Sequence, residues 1–384
     1  MTKLGEICKF QSGGTPSRKN IDYFNGEIPW VTTVALNGGL VSEKNAIDWI
    51  TEKAICESAA KIVPLHSIMV GTRVGIGKVA INAVPMSTSQ DIISLIGIDE
   101  EKYDKRYLCK FIEGKQNYLN AKAQGATIKG IKIDMLASLE FPSLSIDKQQ
   151  HIAAVLDKIS ELIDLRKQQL AKLDELVKSR FVEMFGDAVH NDKGWETDTV
   201  EKLCEEIYGG GTPSKSHPEY YEDGNIPWVT SKDMKADVIS DSQIKINQLG
   251  IDNSTAKMVP VNSVIMVIRS GILKHTLPVA INAVPVTVNQ DLKAFIPSKR
   301  ILTRFLAVQF KMHEKDILTG VRAVTADNIE FNSLKQRDLI VPPIELQQEY
   351  VAFLEQLDKS KAVVQQSLDK LETLKKSLMQ EYFG

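Results

Sequence analysis

The feature that most constrains this chain is a pair of long heptad seams. In residues 146–186 the apolar positions recur in alternating steps of four and three, at Ile152, Leu156, Ile159 and Ile163, then Leu170, Leu173 and Val177. Arg166 and Arg180 fall on the same stripe, and no proline interrupts it. Such a run predicts one long helix that must bury its stripe against a partner helix. The partner lies in the same chain: residues 343–384 carry the seam again at Tyr350, Leu354, Leu357, Val364, Leu368, Leu371 and Leu378. Its polar intrusions, Lys361 and Lys375, are placed to fix the register of pairing. Both segments open near a Gln-Gln pair (Gln149-Gln150, Gln347-Gln348) and close on Phe-Gly (Phe185-Gly186, Phe383-Gly384).

The remainder repeats as well. GGTPS stands at 13–17 and 210–214, Ile-Pro-Trp-Val-Thr at 28–32 and 226–230, and KIVP at 61–64 against KMVP at 257–260. VAINAVP occurs at 79–85 and 279–285, each time followed by Gln-Asp, at 90–91 and 290–291. Two copies in the same order, offset by about 200 residues, mean a tandem domain rather than a solenoid. Each copy holds short β-branched runs that predict strands: IPWVTT, SIMVG, KVAINAV and DIISLIGI, then IPWVTS, SVIMVIRS, PVAINAV and QDLKAFI. Helical pattern covers 105–122 and 303–318, and the turns at Phe141-Pro142 and Val341-Pro342-Pro343 stop each domain before its long helix.

The expected fold class is therefore α/β. Two similar globular α/β domains, residues 1–145 and 187–342, are each followed by a long helix, residues 146–186 and 343–384. The helices pair as an antiparallel coiled coil, giving pseudo-two-fold symmetry. Each rod is at most ~60 Å long at the rise of an α-helix.

At 384 residues, 43% hydrophobic and 25% charged, the chain has the composition of an ordinary globular protein with room for two cores. No apolar run approaches the ~20 residues needed to cross a bilayer, so no membrane is expected. MTKLGEICKF lacks the apolar stretch of a secretory signal. Cys8, Cys56, Cys109 and Cys204 form no C-x-x-C spacing and read as reduced thiols, which points to the cytoplasm. The net charge is −2; residues 1–145 carry 17 Lys+Arg against 15 Asp+Glu, and residues 187–342 carry 18 against 20. Any contact with a polyanion must come from charges that folding brings together.

GTRVGIGKV at 71–79 has the outline of a phosphate loop but not its chemistry. The first glycine of G-x-x-x-x-G-K-[ST] falls on Thr72, and Val79 stands where a hydroxyl must hold Mg²⁺. A strand–turn–strand presenting Arg73 and Lys78, or Arg269, Lys274 and His275 in the second copy, fits better. GGTPS has two readings: a tight turn, or a turn that also meets nucleic acid, because the residues after it differ (Arg18-Lys19 against Lys215-Ser216-His217). The histidines show no H-E-x-x-H or Cys/His grouping. No G-x-S-x-G occurs, and Val341-Pro342-Pro343-Ile344 lacks the Asn or Asp and the aromatic of an amino-methyltransferase tetrapeptide. Neither a catalytic residue, nor a metal, nor a cofactor is expected.

In this order, and twice, these motifs resemble the specificity (S) subunit of type I DNA restriction–modification systems, over essentially the whole chain. The resemblance implies two target-recognition domains, each binding one half of a bipartite asymmetric site in double-stranded DNA, with the coiled coil setting the spacer. It implies a non-catalytic chain flanked by two methyltransferase (M) subunits that methylate a flipped adenine in each half-site, and joined by restriction (R) subunits where these are present. The second domain is led in by Gly194-Trp195-Glu196, whereas the first starts early, at Leu4-Gly5-Glu6-Ile7. Ranked by polarity and loop placement, the DNA-binding candidates are Thr15, Ser17, Arg18, Lys19, Thr32, Arg73, Lys78 and Gln90 in the first domain. In the second they are Thr212, Ser214, Lys215, Thr230, Lys232, Arg269, Lys274, His275 and Gln290. The alternative is a coiled-coil scaffold with two ligand-binding heads and no DNA role. A solitary nuclease or methyltransferase would need a motif the chain lacks.

Overall fold

The computed structural model describes residues 1–125, 129–320, 322–323 and 327–384. It divides into two units, Met1–Gln168 with Gln365–Gly384, and Gln169–Val364.

In the first unit the β-branched runs build a five-stranded sheet in the order Lys9–Ser12, Ile92–Ile96, Ile68–Gly71, Val79–Asn82, Leu40–Val41. Neighbours are antiparallel except the last pair, which is parallel. Successive residues of a strand face opposite ways, and both faces here are covered. Ile68, Val70, Val79, Ile93 and Leu95 pack with Tyr107, Leu108, Phe111 and Ile112 of the helix Lys105–Gly114. Met69, Ala80 and Ile92 pack on the other side with Val31, Leu36, Val41 and Met86. Val31 and Met86 of that layer belong to a second sheet, Asp48–Ile50, Phe24–Val31, Met86–Thr88, Ile62–Val63.

The second unit repeats the order with Cys204–Gly209, Leu292–Pro297, Val264–Val267, Val279–Asn282 and Val238–Ile239. Its smaller sheet has three strands, Lys245–Ile246, Ile226–Val229 and Thr287–Val288. Each head is tied off by a short antiparallel pair, Thr2–Lys3 on Glu140–Phe141 and Thr197–Thr199 on Asp338–Ile340.

The asparagine of VAINAVP shows why that motif recurs. Asn82 is fully buried; its Nδ2 donates to the carbonyls of Pro64 (2.7 Å) and Val84 (2.9 Å), and its Oδ1 accepts from the Ser67 N–H. Asn282 makes the same set with Pro260, Val284 and Ser263. A buried amide satisfied on both ends fixes the approach of the KIVP or KMVP segment to the sheet.

One expectation is revised in detail. The helical pattern of 105–122 is two helices, Lys105–Gly114 and Gln116–Lys122, and that of 303–318 is Thr303–Met312 and Glu314–Thr319. The breaks fall at Lys115 and His313, both with ψ of 2°. The apolar pattern runs straight through them, and the sequence marks only the first, by Gly114 just before it. Lys115 Nζ donates to the carbonyl of Phe383, whereas the His313 side chain is buried.

The long helices run Ile146–Phe185 and Ile344–Phe383. Within the first unit their segments pair antiparallel. Arg166 Nε donates to Ser367 Oγ at 3.3 Å and Lys167 pairs with Glu372, while Ile152 and Leu156 reach Leu378 and Phe383. In the second unit Lys361 pairs with Asp174 at 2.5 Å and the Tyr350 hydroxyl donates to the Val177 carbonyl at 2.9 Å. The seam residues Ile152, Leu156, Ile159, Ile163, Leu354, Leu357, Val364 and Leu368 are buried, and Leu170, Leu173, Val177, Leu371 and Leu378 are half-buried. Near Phe185 the buried stripe shifts by one residue, from Arg180 to Phe181, because Phe181 and Phe185 pack on Phe305 as well as on Tyr350.

The Gln-Gln pairs fasten each helix start to its own head. Gln149 is buried; Oε1 accepts from the Asp104 N–H at 3.0 Å, and Nε2 donates to the carbonyls of Lys102 and Leu144, both at 2.9 Å. Gln347 repeats this with the Leu302 N–H and the carbonyls of Arg300 and Pro342. Gln150 and Gln348 are exposed.

Candidate nucleic-acid interface

Strand order decides which loops meet. Ile92–Ile96 runs antiparallel to both its neighbours, so its start lies beside the ends of Lys9–Ser12 and Ile68–Gly71. The loops 13–19, 72–78 and 89–91 therefore leave the sheet at one end. The segment 32–39 joins them, since it leads into Leu40–Val41 and its Gly38 N–H donates to the Val79 carbonyl at 2.8 Å. The second sheet, of the same order, gathers 210–217, 268–278, 289–291 and 230–237.

The glycines and tryptophans of the repeated motifs build this platform. A Cβ on Gly13 would stand 2.1 Å from the Ser89 carbonyl oxygen, and on Gly210 1.6 Å from that of Asn289, so no side chain fits there. Buried Trp30 donates Nε1 to the Gly14 carbonyl at 3.0 Å, and Trp228 donates to that of Gly211 at 2.9 Å. The tight-turn reading of GGTPS is corrected: its glycines do not take positive φ but permit close backbone approach, and the turns follow it, closed by Asn20 N–H to the Ser17 carbonyl and His217 N–H to the Ser214 carbonyl. The following residues remain outside: Thr15 and Ser17 are exposed, Thr212 is half-buried and Ser214 exposed.

Several candidates are brought together in matching pairs. Thr15 Oγ1 accepts from the Gln90 N–H at 3.4 Å, and Thr212 Oγ1 donates to Gln290 Oε1 at 2.5 Å. Arg73 pairs with Asp91 at 3.4 Å, and Arg269 holds Asp291 Oδ1 with Nε and Nη2 at 2.6 Å. Other candidates are held differently in the two heads. Arg18 pairs with Asp48 at 2.5 Å over the ring of Phe24, while Lys19 and Lys215 are exposed. Lys78 lies exposed with its stem along Gly75, whereas Lys274 sits 3.8 Å from Asp327 beside exposed His275. Thr32 is half-buried; Thr230 donates to Asp233 at 2.7 Å, leaving Lys232 outside. In the second unit a groove of about 820 Å³ is lined by Lys178, Lys232, Lys235 and Lys311, against Asp237 and Glu314.

Sequence reasoning missed the carboxylates Asp48, Asp91, Asp291 and Asp327. The recurrent Gln-Asp dipeptide was the available signal for two of them. All these ion pairs are partly exposed, so each is worth at most ~1 kcal/mol and yields readily to a competing anion. Among the described residues no group of three or more His, Cys, Asp or Glu is placed to hold a metal ion, and no helix is long and apolar enough to cross a membrane. The four cysteines are free. Burial pushes the thiols of Cys8 and Cys204 up to about 12 and raises that of Cys109 as well, which makes them poor nucleophiles.

Residues 1–175 and 192–373 match the family described as type I restriction modification DNA specificity domain. The chain belongs to this family. A curated relative, the MjaIX type I restriction enzyme specificity subunit of Methanocaldococcus jannaschii, is 27% identical over 376 residues, covering 92% of this chain and 85% of that one. A type I restriction enzyme specificity subunit of Escherichia coli is 33% identical over 230 residues, 56% of this chain and 53% of its own. The fold is that of the S subunit from M. genitalium (TM-score 0.59, 15% identity, 100% of this chain and 95% of that chain). It is also that of a chain from a structural study of type I R-M complex assembly (TM-score 0.64, 16% identity, 100% and 96%). The specificity domain is present twice in this chain.

Proposed function

We propose that the chain is the non-catalytic DNA-specificity subunit of a type I restriction–modification assembly. The heads, residues 1–145 and 187–342, each take one half of a bipartite asymmetric site. The helices, residues 146–186 and 343–384, set the spacer between the halves. One observation carries this: a single platform is built twice, with the same Trp–Gly, Asn–Pro and Arg–Asp pairs beneath and different side chains on top. Arg18-Lys19 answers to Lys215-Ser216-His217, and Lys78 to Lys274-His275. A duplicated scaffold with divergent rims suits a reader of two unlike half-sites, because phosphate contacts position a protein while base-edge contacts specify sequence.

The proposed DNA contacts are Thr15, Ser17, Arg18, Lys19, Thr32, Arg73, Lys78 and Gln90 in one head. In the other they are Thr212, Ser214, Lys215, Thr230, Lys232, Arg269, Lys274, His275 and Gln290. Two methyltransferase subunits, and restriction subunits where present, supply the chemistry. With a net charge of −2, the chain alone binds DNA weakly, and the partners provide much of the phosphate attraction. The test exchanges residues 1–145 for the first head of another family member. One half-site of the methylated motif changes and the other stays; a change in both, or in neither, refutes the division of labour.

A further inference from the structure

The first head carries an exposed apolar side chain where the second carries a cation. After Ile-Pro-Trp-Val, the copies run Thr32-Thr33-Val34 and Thr230-Ser231-Lys232. In the first, the 3-10 turn Thr33–Ala35 sends Thr33 and Ala35 inward, with Leu36 buried after them, and leaves Val34 85% exposed. The turn is pinned beside the hairpin loop by the Gly38–Val79 hydrogen bond. Val74 at that hairpin's tip is also exposed. Single apolar residues on a surface are ordinary. Val34 differs in lying on the segment that leaves the sheet at the same end as the loops of Thr15, Arg73, Lys78 and Gln90, tied there by the Gly38–Val79 and Ser89–Val31 backbone hydrogen bonds, at a sequence position whose duplicate holds a lysine.

A valine neither donates nor accepts a hydrogen bond. Of the groups that a duplex displays in its major groove, the 5-methyl of thymine is the one that gains from apolar contact. A lysine at the same place addresses guanine acceptors or phosphate instead. We propose that Val34 is a specificity-determining residue that seats against a thymine methyl in the half-site read by the first head, a place the second head gives to Lys232. This rests on the DNA-specificity reading above.

The test uses the chain assembled with its methyltransferase subunits and measures methyl transfer into duplexes whose thymines are replaced by uracil one at a time. At one position of one half-site, loss of the methyl lowers kcat/KM about four-fold, the transfer value of one buried methyl-sized group. Val34→Ser lowers transfer to the thymine duplex by a similar factor and abolishes the thymine–uracil difference at that position. Val34→Ile retains it, and uracil effects in the other half-site are unchanged in both variants. Full discrimination by Val34→Ser at every position, or equal losses at both half-sites, overturns the assignment. Equal transfer by the wild-type assembly to all thymine and uracil duplexes also overturns the assignment, whereas equal transfer to duplexes of unrelated sequence means that the DNA-specificity reading itself fails, which is a separate result.

Discussion

Gln149 and Gln347 offer a perturbation with a built-in control, because each fastens one long helix to one head by the same three hydrogen bonds. Gln149→Leu keeps the volume but strands the Asp104 N–H and the carbonyls of Lys102 and Leu144. Three hydrogen bonds at ~0.5–1.5 kcal/mol each come to roughly 1.5–4.5 kcal/mol. The buried leucine returns part of that, leaving a local loss of about 2 kcal/mol. Asp104 caps the helix Lys105–Gly114, accepting from the Tyr107 N–H at 2.8 Å, so the loss spreads into that first turn. Native-state hydrogen exchange read by mass spectrometry should show peptides spanning 102–108 exchanging about thirty-fold faster, since 1.4 kcal/mol is tenfold. Gln347→Leu should do the same around 300–306 through the Leu302 N–H, without touching 102–108. Unchanged exchange at both sites, or acceleration of both sites by either single variant, would refute the clamp.

Burial, then the Arg337 guanidinium, depresses the His313 pKa to about 4. A folded value below the unfolded one of ~6.5 means the stabilisation is complete above that pH and is lost as pH falls towards 4, by about 3 kcal/mol. Urea titrations of wild type should show this slope between pH 6.5 and 4.5, and His313→Leu should remove it. Phe383 is buried with its ring 5.1 Å from Tyr107, so Phe383→Ala should destabilise the first unit by ~3 kcal/mol or more and lower its Tm. Arg269→Ala breaks only a partly exposed ion pair. It should cost under ~1 kcal/mol of stability while relaxing one half-site in a methylation map; an unchanged motif would remove Arg269 from the contacts.

The long helices were legible because a heptad stripe is a statement about burial that needs no tertiary knowledge. The duplication was legible because motifs recurred in order. What the motifs are for was not legible. GGTPS and Ile-Pro-Trp read as separate signals, yet Trp30 and Gly14 are one hydrogen bond, and that fact exists only after the chain has folded. The break at His313 was hidden for a similar reason, since the helical period continues across it; that at Lys115 was marked only by Gly114, and Lys115 meets its partner Phe383 only in the folded chain. Pairs such as Leu40–Val41 and Val238–Ile239 are too short for any periodicity to show, yet they close each sheet. Arg73 and Arg269 were visible as loop cations. Their carboxylate partners were marked only by the recurrence of Gln-Asp, which says that the position is kept in both heads but not that an arginine faces it.

The most direct measurement is a genome-wide methylation map of cells carrying this chain with its cognate methyltransferase, against cells carrying the methyltransferase alone. A DNA-specificity role predicts a bipartite, asymmetric, adenine-methylated motif that appears only when this chain is present. The absence of any new motif, while the two proteins still co-purify, would contradict that role and leave two heads on a scaffold that read no DNA.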